Sequence, residues 1–399
     1  MSRRYVVTRT EMNGKHPLVC AVYEDHQMLE VNCIPQEGPL QMLNSIYVAR
    51  VAQIVPNIGA AFVEIAKGQP CFLPLKDLHE PIYVKRLSKK PLVSGDELLV
   101  QVVREPVKTK EPQVTTNLAL AGVYCVVTIG ERQLGISSKI PADRRKELRE
   151  LALRVYDGRF GLVVRTNACD AEDEMLQKEI RALTEALSDI VGYAKGKRLY
   201  SVVYQAPSEY IRLLQNQPLA SLEQVVTDDA AVFSELEAYA KRCPFTGLLK
   251  KLHFYEDKDY DLHKLYSVQV QLRRALEKKI WLKSGANLVI EQTEALTVID
   301  VNSSKNVKKK QQEKQLLLVN LEAAKEIAAQ LRLRNLSGII IVDFIDMASQ
   351  EDKEQLLGAM RELVRRDPVK TEVVDLTRLG LMELTRKKIR RPLHEQVLL

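Results

Sequence analysis

Two short apolar runs, each closed by an aspartate and separated by one helical segment, constrain this chain more than any other feature. The first reads Leu-Thr-Val-Ile-Asp-Val-Asn over residues 296 to 302, and the second Ile-Ile-Ile-Val-Asp-Phe-Ile-Asp over 339 to 346. Between them Leu321, Ala324, Ile327, Ala328 and Leu331 recur at helical spacing from Asn320 to Leu336, and Gly338 follows as a stop signal. Strand, crossover helix, strand is a βαβ unit, whose strands run parallel with a right-handed connection. Asp300 and Asp343 are then expected near the carboxyl ends of neighbouring strands, the edge at which open α/β sheets bind ligands. Two ionised carboxylates ~4 Å apart repel by roughly 4 kcal/mol at an effective dielectric of about 20, and a divalent cation removes that repulsion. Asp300 and Asn302, two apart on one strand, face the same side roughly 6.6 Å from each other. Strand-end aspartates also serve as turn residues and helix caps, so spacing alone leaves both readings open.

The 399 residues suffice for two to four domains, and 46% hydrophobic with 28% charged residues describe an ordinary globular chain. The formal net charge is +7, with basic runs at Lys308-Lys309-Lys310 and Arg386-Lys387-Lys388-Ile389-Arg390-Arg391 flanking the aspartate segments in sequence. A positive face beside a metal site fits a polyanionic substrate. No apolar run approaches the ~18 residues of a membrane span, and Tyr5-Val6-Val7 is too short for a signal-peptide core. The six cysteines (20, 33, 71, 125, 169 and 243) form no Cys-x-x-Cys pair and read as reduced, mostly buried thiols. These features point to the cytoplasm.

Along the chain, Arg4 to Arg9, Leu18 to Glu24 and Gln27 to Asn32 read as strands too few to close a core, so they need later partners. From about 38 to 120, short strands at Ile46 to Ile54, Ala60 to Ile65, Pro70 to Leu73 and Glu97 to Arg104 suit a small barrel such as an OB-fold. Residues 121 to 215 mix strands (Gly122 to Thr128, Phe160 to Thr166) with helices at Pro141 to Tyr156 and Ala171 to Lys195. Residues 216 to 275 hold a further helix and strand. The last block, 276 to 399, carries the βαβ unit, a helix from Gln350 to Arg366, a strand at Glu372 to Leu376 and a helix from Leu381 to Ile389.

Three long runs carry a family resemblance: Thr293-Glu-Ala-Leu-Thr-Val-Ile-Asp-Val-Asn-Ser303, Asn320-Leu-Glu-Ala-Ala-Lys-Glu-Ile-Ala-Ala-Gln-Leu-Arg-Leu-Arg334 and Gly338-Ile-Ile-Ile-Val-Asp-Phe-Ile-Asp-Met347. Ala60-Ala61-Phe62-Val63, Phe72-Leu73-Pro74-Leu75 and Val163-Val164-Arg165-Thr166 extend it toward the amino terminus. The chain resembles the catalytic half of the ribonuclease E/ribonuclease G family, bacterial endoribonucleases that cut single-stranded RNA. The resemblance implies a multidomain α+β fold. An RNase H-like scaffold (1–37 and 216–275) would be interrupted by an OB-fold barrel (38–120) and a 5′-sensor region (121–215). A DNase I-like catalytic α/β domain (276–399) would follow.

It further implies that Asp300 and Asp343 hold one Mg²⁺ supported by Asn302, with products carrying 5′-phosphate and 3′-hydroxyl ends. Mg²⁺ favours one or two carboxylates, several waters and substrate phosphate oxygens. Phe62 and Phe72 match the family's base-stacking aromatics on the barrel, and Lys110 falls where the family has an RNA-contacting lysine. Arg165 and Thr166 match the pair that recognises a 5′-monophosphate, which a guanidinium fork and a hydroxyl can cradle. Lys370 and Arg378 are assigned to substrate phosphates near the metal. The departures matter too. Gly135-Ile-Ser-Ser-Lys139 stands where the family has Gly-Ile-Ser-Arg-Arg, and the loop after Asn302 carries lysines in place of arginines. The Cys-Pro-x-Cys segment through which family members share one zinc is absent from residues 1 to 399. A zinc-linked dimer is therefore not expected from these residues, and the question of a homo-oligomer stays open. The competing reading is a family member that holds RNA or ribosome precursors without cutting.

Overall fold

The computed structural model describes residues 2–35, 42–106, 111–130, 132–303 and 312–398. They form two units that interleave in sequence, one of Met1–Gln36, Leu222–Glu235 and Lys251–Leu399, the other of Glu37–Ser221 and Leu236–Lys250.

In the first unit the amino-terminal strands find the partners they lack locally. Arg3–Arg9 pairs antiparallel with Leu18–Glu24 and parallel with Leu222–Thr227, in the order Leu252–Phe254, Leu222–Thr227, Arg3–Arg9, Leu18–Glu24, Gln27–Ile34. Leu18 to Tyr23 are all buried, as expected of a strand covered on both faces. Leu262, Val268, Leu272 and Leu393 from three helical segments pack on Val6, Val19, Ala21 and Met28.

The second sheet of this unit has six strands in the order Lys279–Trp281, Asn287–Gln292, Leu296–Asn302, Gly338–Asp343, Leu381–Arg386, Thr371–Leu376. Only the two aspartate strands run parallel; the others pair antiparallel. The helices Gln312–Leu333 and Gln350–Arg365 cover one face, where Ile299, Val301, Ile340, Val342, Met382 and Leu384 meet Ala324, Ile327, Leu331, Leu356 and Met360. Burying one such side chain contributes roughly 1.5–3 kcal/mol, so this layer holds the aspartate strands rigidly. The segment expected to be a helix from Leu381 is instead the strand Leu381–Arg386. Its buried residues alternate as Met382, Leu384 and Arg386, and pairing to strands on both sides overrides the local helical spacing.

In the second unit five strands close into a barrel. Ile46–Val55, Ala60–Ala66, Gln69–Pro74, Gln113–Thr115 and Glu97–Arg104 follow one another, and the last pairs back to the first. Ala49, Val51, Ala61, Val63, Cys71, Leu73, Val100 and Val114 fill the interior. A four-stranded sheet, ordered Ala119–Ala121, Cys125–Thr128, Gly161–Val164, Leu134–Ile136, lies in the same unit with the helices Ala142–Leu153 and Asp173–Tyr193 against it. The chain is thus a mixed α+β protein with a closed five-stranded barrel and several sheets. Among the described residues no helix is long and apolar enough to cross a membrane.

Candidate functional site

Asp300 and Asp343 are direct register partners in the parallel pair. Register partners on adjacent strands point to the same side with backbones about 4.8 Å apart. The side is set by the neighbours: Ile299, Val301 and Val342 go into the helix-covered core, so both carboxylates emerge on the opposite face. Asn302 shares that face, and its Nδ2 donates to Asp300 Oδ2 at 2.7 Å. The amide fixes the rotamer of Asp300, and among the described residues no hydrogen bond occupies Oδ1, which can therefore ligate. Two anionic oxygen donors plus an orienting amide suit a hard divalent cation that keeps most of its own waters.

The chain beyond Asp343 is held by a residue whose role the sequence did not disclose. Asn320 is wholly buried in the helix Gln312–Leu333; its Nδ2 donates to the carbonyl of Ile345 at 2.8 Å, and its Oδ1 accepts from the Ile345 amide at 3.1 Å. Phe344 is buried in the core, and Asp346 is exposed beyond the end of the strand. Asp343 also registers with Leu381, which puts the turn Thr377 to Gly380 at the carboxylate edge. Arg378 is exposed in that turn, so the fold brings it toward the aspartates. Lys370 is not brought there. It precedes Thr371, which registers with Arg386 and so with Gly338, roughly 16 Å along the strand from Asp343. It pairs with Glu372 at 2.8 Å. Arg386, counted in the sequence among a basic run, is buried and donates to Asp367 Oδ2 at 2.8 Å, Asn335 Oδ1 at 3.0 Å and the Leu336 carbonyl at 3.0 Å. It contributes nothing to a positive surface.

On the barrel, Phe62 and Phe72 are register partners with ring centroids 6.0 Å apart at 73°. Both are half-buried and alternate with the interior residues Ala61, Val63, Cys71 and Leu73. They lie on the outer wall, not in the core. Lys110 lies outside the described residues.

Arg165 and Thr166 follow directly after the strand Gly161–Val164. The Arg165 guanidinium donates through Nη1 to the carbonyls of Gly122 and Gln215 and through Nη2 to Asn216 Oδ1. Among the described residues Nε–H and one Nη2–H have no partner, two donors that a phosphate can accept from. Burial pushes the Arg165 pKa down, and the charge of Glu179 opposes this. Glu179 itself is buried. Its Oε1 accepts from the Val123 amide at 2.8 Å, and its Oε2 accepts from Tyr124 at 2.6 Å and Cys125 at 2.9 Å. Burial raises its pKa, and those three amides oppose the rise. Because Tyr124 and Gly122 in turn accept from Arg165, the Glu179 carboxylate braces the segment that positions the guanidinium. Thr166 is exposed, with its hydroxyl 2.8 Å from that of Ser137.

Comparison with known proteins follows the same lines. A model described as the Ribonuclease E/G family matches residues 119–389. Ribonuclease G of Salmonella typhimurium (strain SL1344) is 31% identical over 380 residues, covering 92% of this chain and 77% of the relative. Ribonuclease G of Haemophilus influenzae is 32% identical over 384 residues, covering 94% of this chain and 78% of the relative. Ribonuclease E of a Nostoc species is 34% identical over 382 residues, covering 93% of this chain and 54% of the relative. The chain belongs to the ribonuclease E/G family.

Proposed function

We propose that this chain is a Mg²⁺-dependent endoribonuclease of the cytoplasm. In this reading it cuts single-stranded, A/U-rich RNA during RNA processing and decay, leaving 5′-phosphate and 3′-hydroxyl ends. The observation that carries the reading is the register pairing of Asp300 with Asp343 on the sheet face opposite the helices, with Asn302 orienting the first carboxylate. In this reading Asp300 and Asp343 hold the ion. When bound, it supplies electrostatic stabilisation of the charge that builds on the phosphoryl oxygens.

The protein's own residues do the rest. Asn302 keeps Asp300 in one rotamer, and Asn320 keeps the chain after Asp343 in place. Arg378 offers a positive charge to the backbone at the carboxylate edge. Phe62 and Phe72 stack bases of the single strand; each such contact contributes about 1–3 kcal/mol and tolerates any base. Arg165 and Thr166 recognise a 5′-terminal monophosphate, which presents more charge and more free oxygens than an internal diester. The fold reading that accompanies this assigns 1–37 and 216–275 to an RNase H-like scaffold, and 38–120 to the OB-fold. It assigns 121–215 to the sensor and 276–399 to a DNase I-like catalytic domain.

The test is cleavage of a 5′-monophosphorylated, A/U-rich oligonucleotide by the purified protein with Mg²⁺. Chelation should abolish cleavage, and Asp300→Asn or Asp343→Asn should lower kcat by at least about 100-fold while a gel shift with RNA persists. Both variants cutting at the wild-type rate would overturn the metal assignment. A clean gel shift with no product from the wild-type protein would favour the non-cleaving RNA-binding role.

A further inference from the structure

The carboxylate face of the six-stranded sheet carries one more feature, two strands away from Asn302. Trp281 is in register with Asn287, and Asn287 with Asn302; Lys279 is in register with Val289, and Val289 with Asp300. Trp281 and Lys279 therefore emerge on the same side as Asp300, Asn302 and Asp343, about 10 Å from the first two across two strand spacings and about 14 Å from Asp343 across three. The intervening Ile280 and Leu288 go the other way into the helix-covered core. Trp281 is 66% exposed, far more than an indole held for packing. The Lys279 ammonium sits 4.2 Å from the centroid of its ring, while the neighbouring Lys278 is the one that pairs with Glu291. The indole thus carries a cation against its ring while most of its surface remains exposed among the described residues.

We propose that Trp281 and Lys279 form a stacking platform for a nucleotide next to the bond that is cut. A base lies on the open indole, and Lys279 meets the adjoining phosphate. The chemistry fits a single strand: every base has a π-face that an aromatic ring can hold without reading sequence, and the lysine supplies the backbone charge. The short strand Lys279–Trp281 pins the pair to the rigid sheet that carries the aspartates. A base held there contributes binding energy to the strand as it passes the metal face. The proposal rests on the nuclease reading for its location, but its main readout does not depend on cleavage.

Trp281 is the only tryptophan in the chain, so its emission reports on this place alone. With divalent ions chelated, titration of the full chain with a single-stranded oligonucleotide should quench that emission with the same midpoint as the gel shift. In the presence of Mg²⁺, Trp281→Ala should raise KM by about 5- to 150-fold, Trp281→Phe should restore most of the loss, and kcat should change far less than KM. Unchanged emission while the RNA is bound, or an unchanged KM in Trp281→Ala, overturns the platform even if cleavage proceeds. Emission that follows protein concentration and not RNA assigns the face to self-association, which also overturns it. Quenching by RNA in a protein that fails to cut supports the platform and removes the nuclease reading instead.

Discussion

Replacing Asn320 with alanine tests how the metal face is held together. The Asn320 side chain grips both polar groups of the Ile345 backbone, at 2.8 Å and 3.1 Å, from a fully buried position. Each hydrogen bond contributes a net of about 0.5–1.5 kcal/mol, so the substitution should lower the unfolding free energy by roughly 1–3 kcal/mol. Ile345 stands two residues beyond Asp343 on the segment that leaves the strand, so loosening it lets the Asp343 carboxylate wander. A misplacement on the order of 1 Å costs about 100-fold in rate. Asn320→Ala should therefore reduce kcat by about that factor and raise the Mg²⁺ concentration needed for half-maximal cleavage. KM for the oligonucleotide should hold, because Phe62 and Phe72 are untouched. Asn320→Asp, which keeps the shape but sets an oxygen against the Ile345 carbonyl, should behave alike. The assay is steady-state cleavage across a Mg²⁺ titration, run beside urea unfolding. A lowered urea midpoint with wild-type kcat and Mg²⁺ dependence would show that the clamp stabilises the fold without positioning the carboxylate.

Three further outcomes are expected. Asp367→Asn strands the buried Arg386 charge and should cost about 3–5 kcal/mol in urea unfolding; adding Arg386→Met removes that charge and should recover part of the loss, the remainder being the donor that the Leu336 carbonyl gives up, and no recovery would refute the ion-pair account. Glu179→Gln must turn an NH₂ toward one of three backbone amides, orphaning a donor at a cost of about 1–3 kcal/mol. The ratio of kcat/KM for 5′-monophosphate over 5′-hydroxyl substrates should fall with it, and an unchanged ratio would uncouple Glu179 from Arg165. Phe62→Ala and Phe72→Ala should each weaken single-stranded RNA binding by about 5- to 150-fold with little loss of stability, since both rings stand on the barrel's outer wall. Wild-type affinity in both would remove the barrel from the RNA path.

Much of the scaffold could be read from residue order. The strands at 3–9, 18–24, 46–55 and 97–104 follow apolar runs bounded by turns, and the placing of Asp300 and Asp343 near the carboxyl ends of neighbouring parallel strands follows from two such runs joined by one helix. Even the outward placement of Phe62 has a local signal, because it shares parity with Glu64 and not with Ala61 or Val63. Other features had no such trace. Leu381–Arg386 reads as a helix from its sequence because the buried member that completes its alternation is an arginine, whose partner Asp367 lies nineteen residues earlier. Asn320 and Glu179 act through backbone groups 25 and at least 54 residues distant, so only the fold reveals what they hold. The strand Lys279–Trp281 is three residues long, below the length at which alternation can be recognised.

The central position of Arg3–Arg9 has a consequence for biosynthesis. Its parallel neighbour, Leu222–Thr227, leaves the ribosome only after the whole barrel has been made. During that interval the first strands made wait with an unfilled edge, while the barrel strands, all within residues 46–115, can already close on themselves. Translation pauses before residue 227 should therefore leave the nascent amino terminus prone to protease and to chaperone capture, and release should follow once the missing neighbour emerges.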